Sequence, residues 1–134
     1  MANPEQFEDM VVDAFKEIPE KFRAKVKNVA FIVEDEPSET LRKEHGLSRG
    51  ETLLGFYRGV PRTVRGVNYG VGPTLPDLIV IYKLPCEQEA FGSGRTIESV
   101  VKDTVFHEVG HYLGMSEREV RSWERKKRSA SPRE

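Results

Sequence analysis

Two histidines and a glutamate, spaced as His107-Glu108-x-x-His111, are the residues of this chain whose types and positions point to chemistry. On an α-helix, residues four apart lie on one face, about one turn of rise from each other. Two imidazoles so placed can converge on one Zn²⁺, with Zn–N bonds of roughly 2.0–2.1 Å. Glu108 follows His107 by one residue, rotated by about 100°, where its carboxylate can reach a water on the metal without occupying a ligand position. The metal then acts as a Lewis acid and Glu108 as general base, which is the chemistry of a zinc-dependent hydrolase. The competing reading is a surface helix on which the three side chains are merely solvated, because any short motif carries a false-positive risk.

The sequence before the motif favours a helix. Ile97, Val100, Val101 and Val105 fall at the spacing of one buried face. Thr96 is a candidate N-cap, and Glu98 in the first turn complements the helix dipole. The spacing predicts roughly four to five turns with the motif near the C-terminal end. Gly114 can adopt a left-handed conformation there, so the chain can stop and fold back. Glu117 is then a candidate third ligand, since catalytic zinc usually has three protein ligands plus water and accepts carboxylate oxygen. The same residue has another reading. Ser116-Glu117-Arg118-Glu119 is a capping-box pattern with Ser116 as N-cap and Glu119 at N3, and an acid in a first turn needs no metal to explain it. Both readings of Glu117 stand.

Residues 107–117 resemble the extended H-E-x-x-H-x-x-G-x-x-(H/D) signature of the metzincin-like zincins. A closer resemblance is to the small bacterial family of minimal zincin-like metallopeptidases, carried by three ordered motifs. These are Gly55-Phe56-Tyr57-Arg58-Gly59-Val60-Pro61, then Pro76-Asp77-Leu78-Ile79-Val80-Ile81-Tyr82, then the histidine motif with Gly114-Met115-Ser116-Glu117. The resemblance spans roughly residues 7–119. It implies an α+β, minimal zincin-like fold, with a small mixed β-sheet packed against helices and the motif on a long helix near the C-terminus. It also implies metallopeptidase activity with Zn²⁺ on a peptide or protein substrate. The chain departs from the pattern in two places. The downstream Met-turn of metzincins is not expected, so Met115 is not read as that element, and Glu117 stands where the family favours Asp. A zincin-fold binding or regulatory protein with a weak or vestigial metal site is the alternative.

With 134 residues, the chain is expected to form one domain over residues 1–128, with a disordered tail at 129–134. Hydrophobic content of 37% and charged content of 32% fit a small, highly charged globule. A net charge of −1 argues against a chain-wide nucleic-acid or membrane footprint. Cys86 is the only cysteine, which excludes an intrachain disulfide and favours a reducing compartment. No basic start with an apolar run marks a secretory signal, and no segment approaches membrane-spanning length, so the expectation is cytoplasmic. The basic run at 121–128 is read as a solvated helix end rather than a nucleic-acid contact.

Asn3-Pro4-Glu5 signals a helix start, followed by Phe7, Val11, Ala14, Phe15 and Ile18 at helical spacing. Pro19 interrupts, and Phe22 with Val26 suggest a short second helix. Strands are expected at 29–33, 52–57 and 77–83, and a brief helix at 38–45 closed by Gly46. Residues 58–76 read as a loop, a plain flexible insertion being favoured over the hairpin-like connection near the cleft that the resemblance implies, and residues 91–95 as a flexible lead into the long helix. A bound peptide would add to a strand edge, with 77–82 the candidate. Tyr57, Tyr82 and Arg58 are candidate oxyanion donors by composition. Tyr112 is expected to pack, His45 to lie on the surface, and Gly110 to permit close approach of a neighbouring backbone.

Overall fold

The computed structural model describes residues 3–46, 53–59, 76–116, 118, 119 and 122. The first helix, α1 (Pro4–Lys16), begins at a complete capping box: Asn3 Oδ1 accepts from the Gln6 amide, and Gln6 Oε1 accepts from the Asn3 amide. It buries Phe7, Val11 and Ala14, the expected face. A single turn, α2 (Glu20–Arg23), follows Pro19. Strand β1 (Val29–Glu34) leads to α3 (Glu39–Glu44), capped by the Ser38 hydroxyl. Strand β2 (Gly55–Arg58) and strand β3 (Asp77–Tyr82) complete the sheet.

The fold is α+β, with a mixed three-stranded sheet in the order β1-β3-β2. Strand β3 runs parallel to β1, pairing Val29 with Asp77 through Glu34 with Tyr82. It runs antiparallel to β2, pairing Gly55 with Ile81 and Arg58 with Leu78. The segment 77–82 is therefore the central strand, and the expectation that it offers a free edge is corrected. Both of its backbone rows are already engaged, and both of its faces are covered, Ile79 and Ile81 on one side and Val80 and Tyr82 on the other, which is why the run Leu78 to Tyr82 is almost continuously apolar. The second strand starts later than its sequence suggests. Leu54 precedes it, although its carbonyl still accepts from the Tyr82 amide at 2.9 Å.

Residues beyond β3 depart from the expected pattern. Lys83 opens helix α4 (Lys83–Ser93) directly from the strand, so the third strand is one residue shorter than expected and Phe91 to Ser93 are helical. Pro85 sits in the first turn, where a missing N–H removes no helical hydrogen bond. The Leu84 amide finds a partner outside the helix, the Asp35 carbonyl at 2.9 Å. Glu87 hides the amphipathic pattern because it is buried: its side chain is 1% exposed and ion-paired to Lys83 Nζ at 3.2 Å. The contact is close but off-line, and neither carboxylate oxygen receives a well-directed hydrogen bond.

The last long helix, α5 (Ile97–Tyr112), is capped by the Thr96 hydroxyl as expected. The main core joins Phe7, Val11, Ala14 and Ile18 to Ile79 and Ile81, to Cys86 and Ala90, and to Val100, Val101, Val105, Phe106 and Val109. A smaller cluster on the other face of the sheet holds Leu41, Val80 and Tyr82. Helices α1 and α5 are tied at the surface by Lys102 Nζ and Glu17 Oε1, 2.6 Å apart. Among the described residues, no helix is long and apolar enough to cross a membrane. Phe7 is fully buried at the α1–α5 seam. Phe7→Ala is expected to lower stability by about 3–5 kcal/mol, whereas Lys102→Ala should change it by about 1 kcal/mol or less. Midpoints of urea unfolding with unchanged slope would measure both.

Candidate metal centre

Helix α5 lies along β2, and the two run side by side in the same direction: Gly55 faces Thr104 and Glu108, and further on Tyr57 faces Tyr112. The approach is close enough to require glycine. A Cβ on Gly55 would lie 2.8 Å from Thr104 Cγ2, 3.1 Å from Glu108 Cγ and 3.2 Å from the Val80 carbonyl oxygen. Gly55 is thus a close-approach glycine that the sequence does not single out, beside Gly110, which is buried within the helix.

His107 and His111 are brought together. Their Nε2 atoms are 3.1 Å apart, and the ring planes stand at 81° with centroids at 4.7 Å. Both side chains are partly exposed, so the pair is open to solvent on one side. Two zinc–nitrogen bonds of ordinary length meeting at a tetrahedral angle would hold their nitrogens about 3.3–3.4 Å apart. The observed spacing fits that requirement within a few tenths of an ångström. Glu108 is 8% exposed, with its stem against β2 at Gly55. Among the described residues, no group of three or more His, Cys, Asp or Glu side chains gathers as a metal cluster. Glu117 lies outside the described residues, as do the basic run from 123 onward, the tail and residues 60–75 of the expected loop.

The helix end that carries His111 is closed by a Schellman motif. The Met115 amide donates to the Gly110 carbonyl and the Gly114 amide to the His111 carbonyl, both at 2.9 Å, with Gly114 at φ +86°. Beyond it, Ser116 and Glu119 form the anticipated reciprocal cap: Ser116 N donates to Glu119 Oε1 at 2.8 Å, and Glu119 N to Ser116 Oγ at 3.2 Å.

The three oxyanion candidates separate clearly. The Tyr57 hydroxyl donates to Asp77 Oδ2 at 2.8 Å. Tyr82 is buried, and burial, with the Glu34 and Glu108 charges adding and Arg58 opposing, pushes its phenol from the usual 10.0 up to about 12. Arg58 is exposed, its guanidinium 5.8 Å from the Phe56 ring centroid. His45 is exposed, edge-on to Phe56 at 4.9 Å, and takes no part in the histidine pair. Tyr112 does more than pack. Its hydroxyl donates to the Lys27 carbonyl at 2.7 Å and accepts from the Lys27 amide at 3.2 Å. Helical phase places Tyr112 off the ligand face, but a partner 85 residues away leaves no local signal. Cys86 is fully buried, and burial raises its thiol from the usual 9.0 to about 11, so it is not poised as a nucleophile.

Comparisons with known proteins agree with this architecture. The family model described as zincin-like metallopeptidase matches residues 26–126. A conserved hypothetical protein from Thermus thermophilus is similar in structure, with a TM-score of 0.54 and 27% sequence identity, over 84% of this chain and 94% of that one. No curated protein matches the sequence.

Two outcomes follow from the packing. Gly55→Ala is expected to destabilise the protein by about 1–3 kcal/mol, because two of the three atoms in its way belong to a packed helix and the third to the backbone. Thermal unfolding would show it, and an unchanged melting temperature would contradict the close approach. The raised phenol of Tyr82 and thiol of Cys86 favour the neutral forms in the folded state. Their contribution is complete below the unfolded values, pH 10.0 and 9.0, and is lost as pH rises through about 12 and 11. Ultraviolet titration should show one tyrosine ionising late, and Tyr82→Phe should remove that step.

Proposed function

This chain belongs to the zincin-like metallopeptidase family, and we propose on that basis that it is a zinc-dependent peptidase, with His107 and His111 as metal ligands and Glu108 as general base. The observation that carries the reading is the convergence of the two Nε2 atoms at 3.1 Å on a solvent-facing side of α5. Glu117 is the proposed third ligand, on the sequence pattern alone. When bound, zinc would supply Lewis acidity, lowering the pKa of a water toward about 7 and polarising a peptide carbonyl.

The remaining work falls to side chains of this chain. Glu108 follows His107 on the same turn and is held by β2 through its stem. In that position it takes the proton of the attacking water and returns a proton to the leaving amine. A fixed stem favours the transfer, because a base that must reorient loses effective concentration. The substrate strand is reassigned from β3 to β2, since β3 is paired on both sides. Among the described residues strand β2 is an outer strand beside α5, and an extended peptide added there would run past the histidine pair with its backbone satisfied. None of the three oxyanion candidates is placed to serve the pair: Arg58 lies over Phe56 on the sheet face away from α5, and the Tyr57 and Tyr82 hydroxyls are committed or buried.

Protein purified without chelator is expected to carry one zinc, and His107→Ala or His111→Ala should lose it. Glu108→Gln should retain zinc yet cleave peptides roughly 10²–10⁴-fold more slowly. Stoichiometric zinc with no Glu108-dependent cleavage across a peptide library would instead identify a zincin-fold binding protein, and absence of zinc would refute the metal site.

A further inference from the structure

We infer that Tyr112 is a positioning residue for the metal centre, its hydroxyl locking the last turn of α5 to the Lys27–Asn28 turn so that His111 stays directed at His107. The inference rests on the proposed role of the two histidines as zinc ligands. Four observations carry it. First, the Tyr112 hydroxyl makes two hydrogen bonds to the peptide groups of one residue, at 2.7 Å to the Lys27 carbonyl and 3.2 Å from the Lys27 amide. A two-point attachment fixes direction as well as distance. Second, the turn it grips is itself anchored: Asn28 holds the left-handed conformation at φ +57°, and its carbonyl accepts from the Asp77 amide at 3.0 Å, where β3 begins.

Third, the Tyr112 ring meets Tyr57 edge-on at 5.8 Å, and the Tyr57 hydroxyl donates to Asp77 Oδ2. The hydroxyl attachment and the ring contact thus return to the same sheet corner by separate routes. Fourth, Tyr112 is the last residue of α5, immediately after His111. The final turn of a helix frays because its carbonyls lack helical partners, and a ligand in that turn moves with it. The Schellman closure ties down the carbonyls of Gly110 and His111 but does not by itself stop the last turn from twisting relative to the body of α5. A side chain about 100° around the axis from His111, fixed to the sheet, does. Metal affinity is sensitive to displacements of about 0.5 Å in a ligand, so a clamp on this turn acts on zinc.

Tyr112→Phe keeps the ring against Tyr57 and removes both hydrogen bonds to Lys27. Zinc affinity of the purified chain would be measured by competition with a chromophoric chelator, and the cobalt(II) absorption spectrum would be recorded alongside. The expected result is a dissociation constant raised about 10-fold or more, with an altered cobalt spectrum. Phe15→Leu, which loosens the Phe15–Phe31 ring contact away from the site, is the stability control and should leave zinc affinity unchanged. In the metal-free protein, the Leu113 and Met115 amides, donated to Val109 and Gly110, should exchange with solvent faster in Tyr112→Phe while those of the middle of α5 do not. Affinity within about twofold of wild type, an equal loss in Phe15→Leu, or unchanged amide exchange would each overturn the clamp. Wild-type protein that binds no zinc would overturn the site itself and the clamp with it, an outcome distinct from zinc bound equally by both.

Discussion

The near-contact of α5 with β2 at Gly55 is the constraint from which the geometry of the site follows. Stripped of a side chain there, the strand admits Thr104 against its backbone at a separation real Cβ atoms essentially never show, and Glu108 at one that few tolerate. A helix seated that closely cannot slide along the sheet or roll on it without driving Thr104 or Glu108 into β2. Its rotational phase is therefore fixed. The residues on either side of Glu108 inherit that phase: Val105 and Val109 point into the core, while His107 and His111 remain partly open. The buried position of Glu108 and the open position of the histidines are two results of one packing contact.

The rest of the chain supplies the pressure that keeps α5 seated. Helix α1 crosses behind it through Phe7, Val11 and Ala14, and α4 closes the remaining side through Cys86 and Ala90. Burial of apolar surface provides the driving force without direction. Direction comes from polar contacts at the edges. Arg95 reaches back to Asp103 at 2.6 Å and to Ser99, bracing the start of α5, and Lys102 meets Glu17. The opposite end has the Schellman turn and Tyr112. Helix α5 is thus held at both ends by polar groups and along its length by the core.

Much of this is legible in the sequence because the signals are local. The capping residues Asn3, Ser38, Thr96 and Ser116 all cap as their types suggest, and the apolar spacing of α1 and α5 marks the faces they bury. The histidine spacing alone forecasts that two rings share one face. What escapes are features set by distant partners. Helix α4 is concealed by Pro85 in its first turn and by Glu87 buried where an apolar residue would announce a helix. Sheet order is invisible in a strand's own composition, so β3 reads as an edge. Gly55 resembles an ordinary interruption of a strand until α5 is laid against it. Tyr112 carries a helical phase that says only what it does not face, and Lys27 is too far away in sequence to be paired with it.

Placing the two proposed ligands within one helical turn fixes their mutual spacing from backbone geometry but leaves their joint direction to tertiary structure. The helix sets the separation of His107 and His111, and it would do so in isolation whenever it formed. Only tertiary packing can decide that both rings stay partly open to solvent rather than turn into the core. The consequence is that the proposed site occupies the turn most inclined to fray, since a histidine pair near the middle of α5 would compete for the face that Val100, Val101 and Val105 bury. Moving the pair to the helix end frees it from the core and brings it near the chain reversal at Gly114, from which a further ligand could come. The Schellman hydrogen bonds and the Tyr112 attachment are what make that end rigid enough to hold the two imidazoles in register.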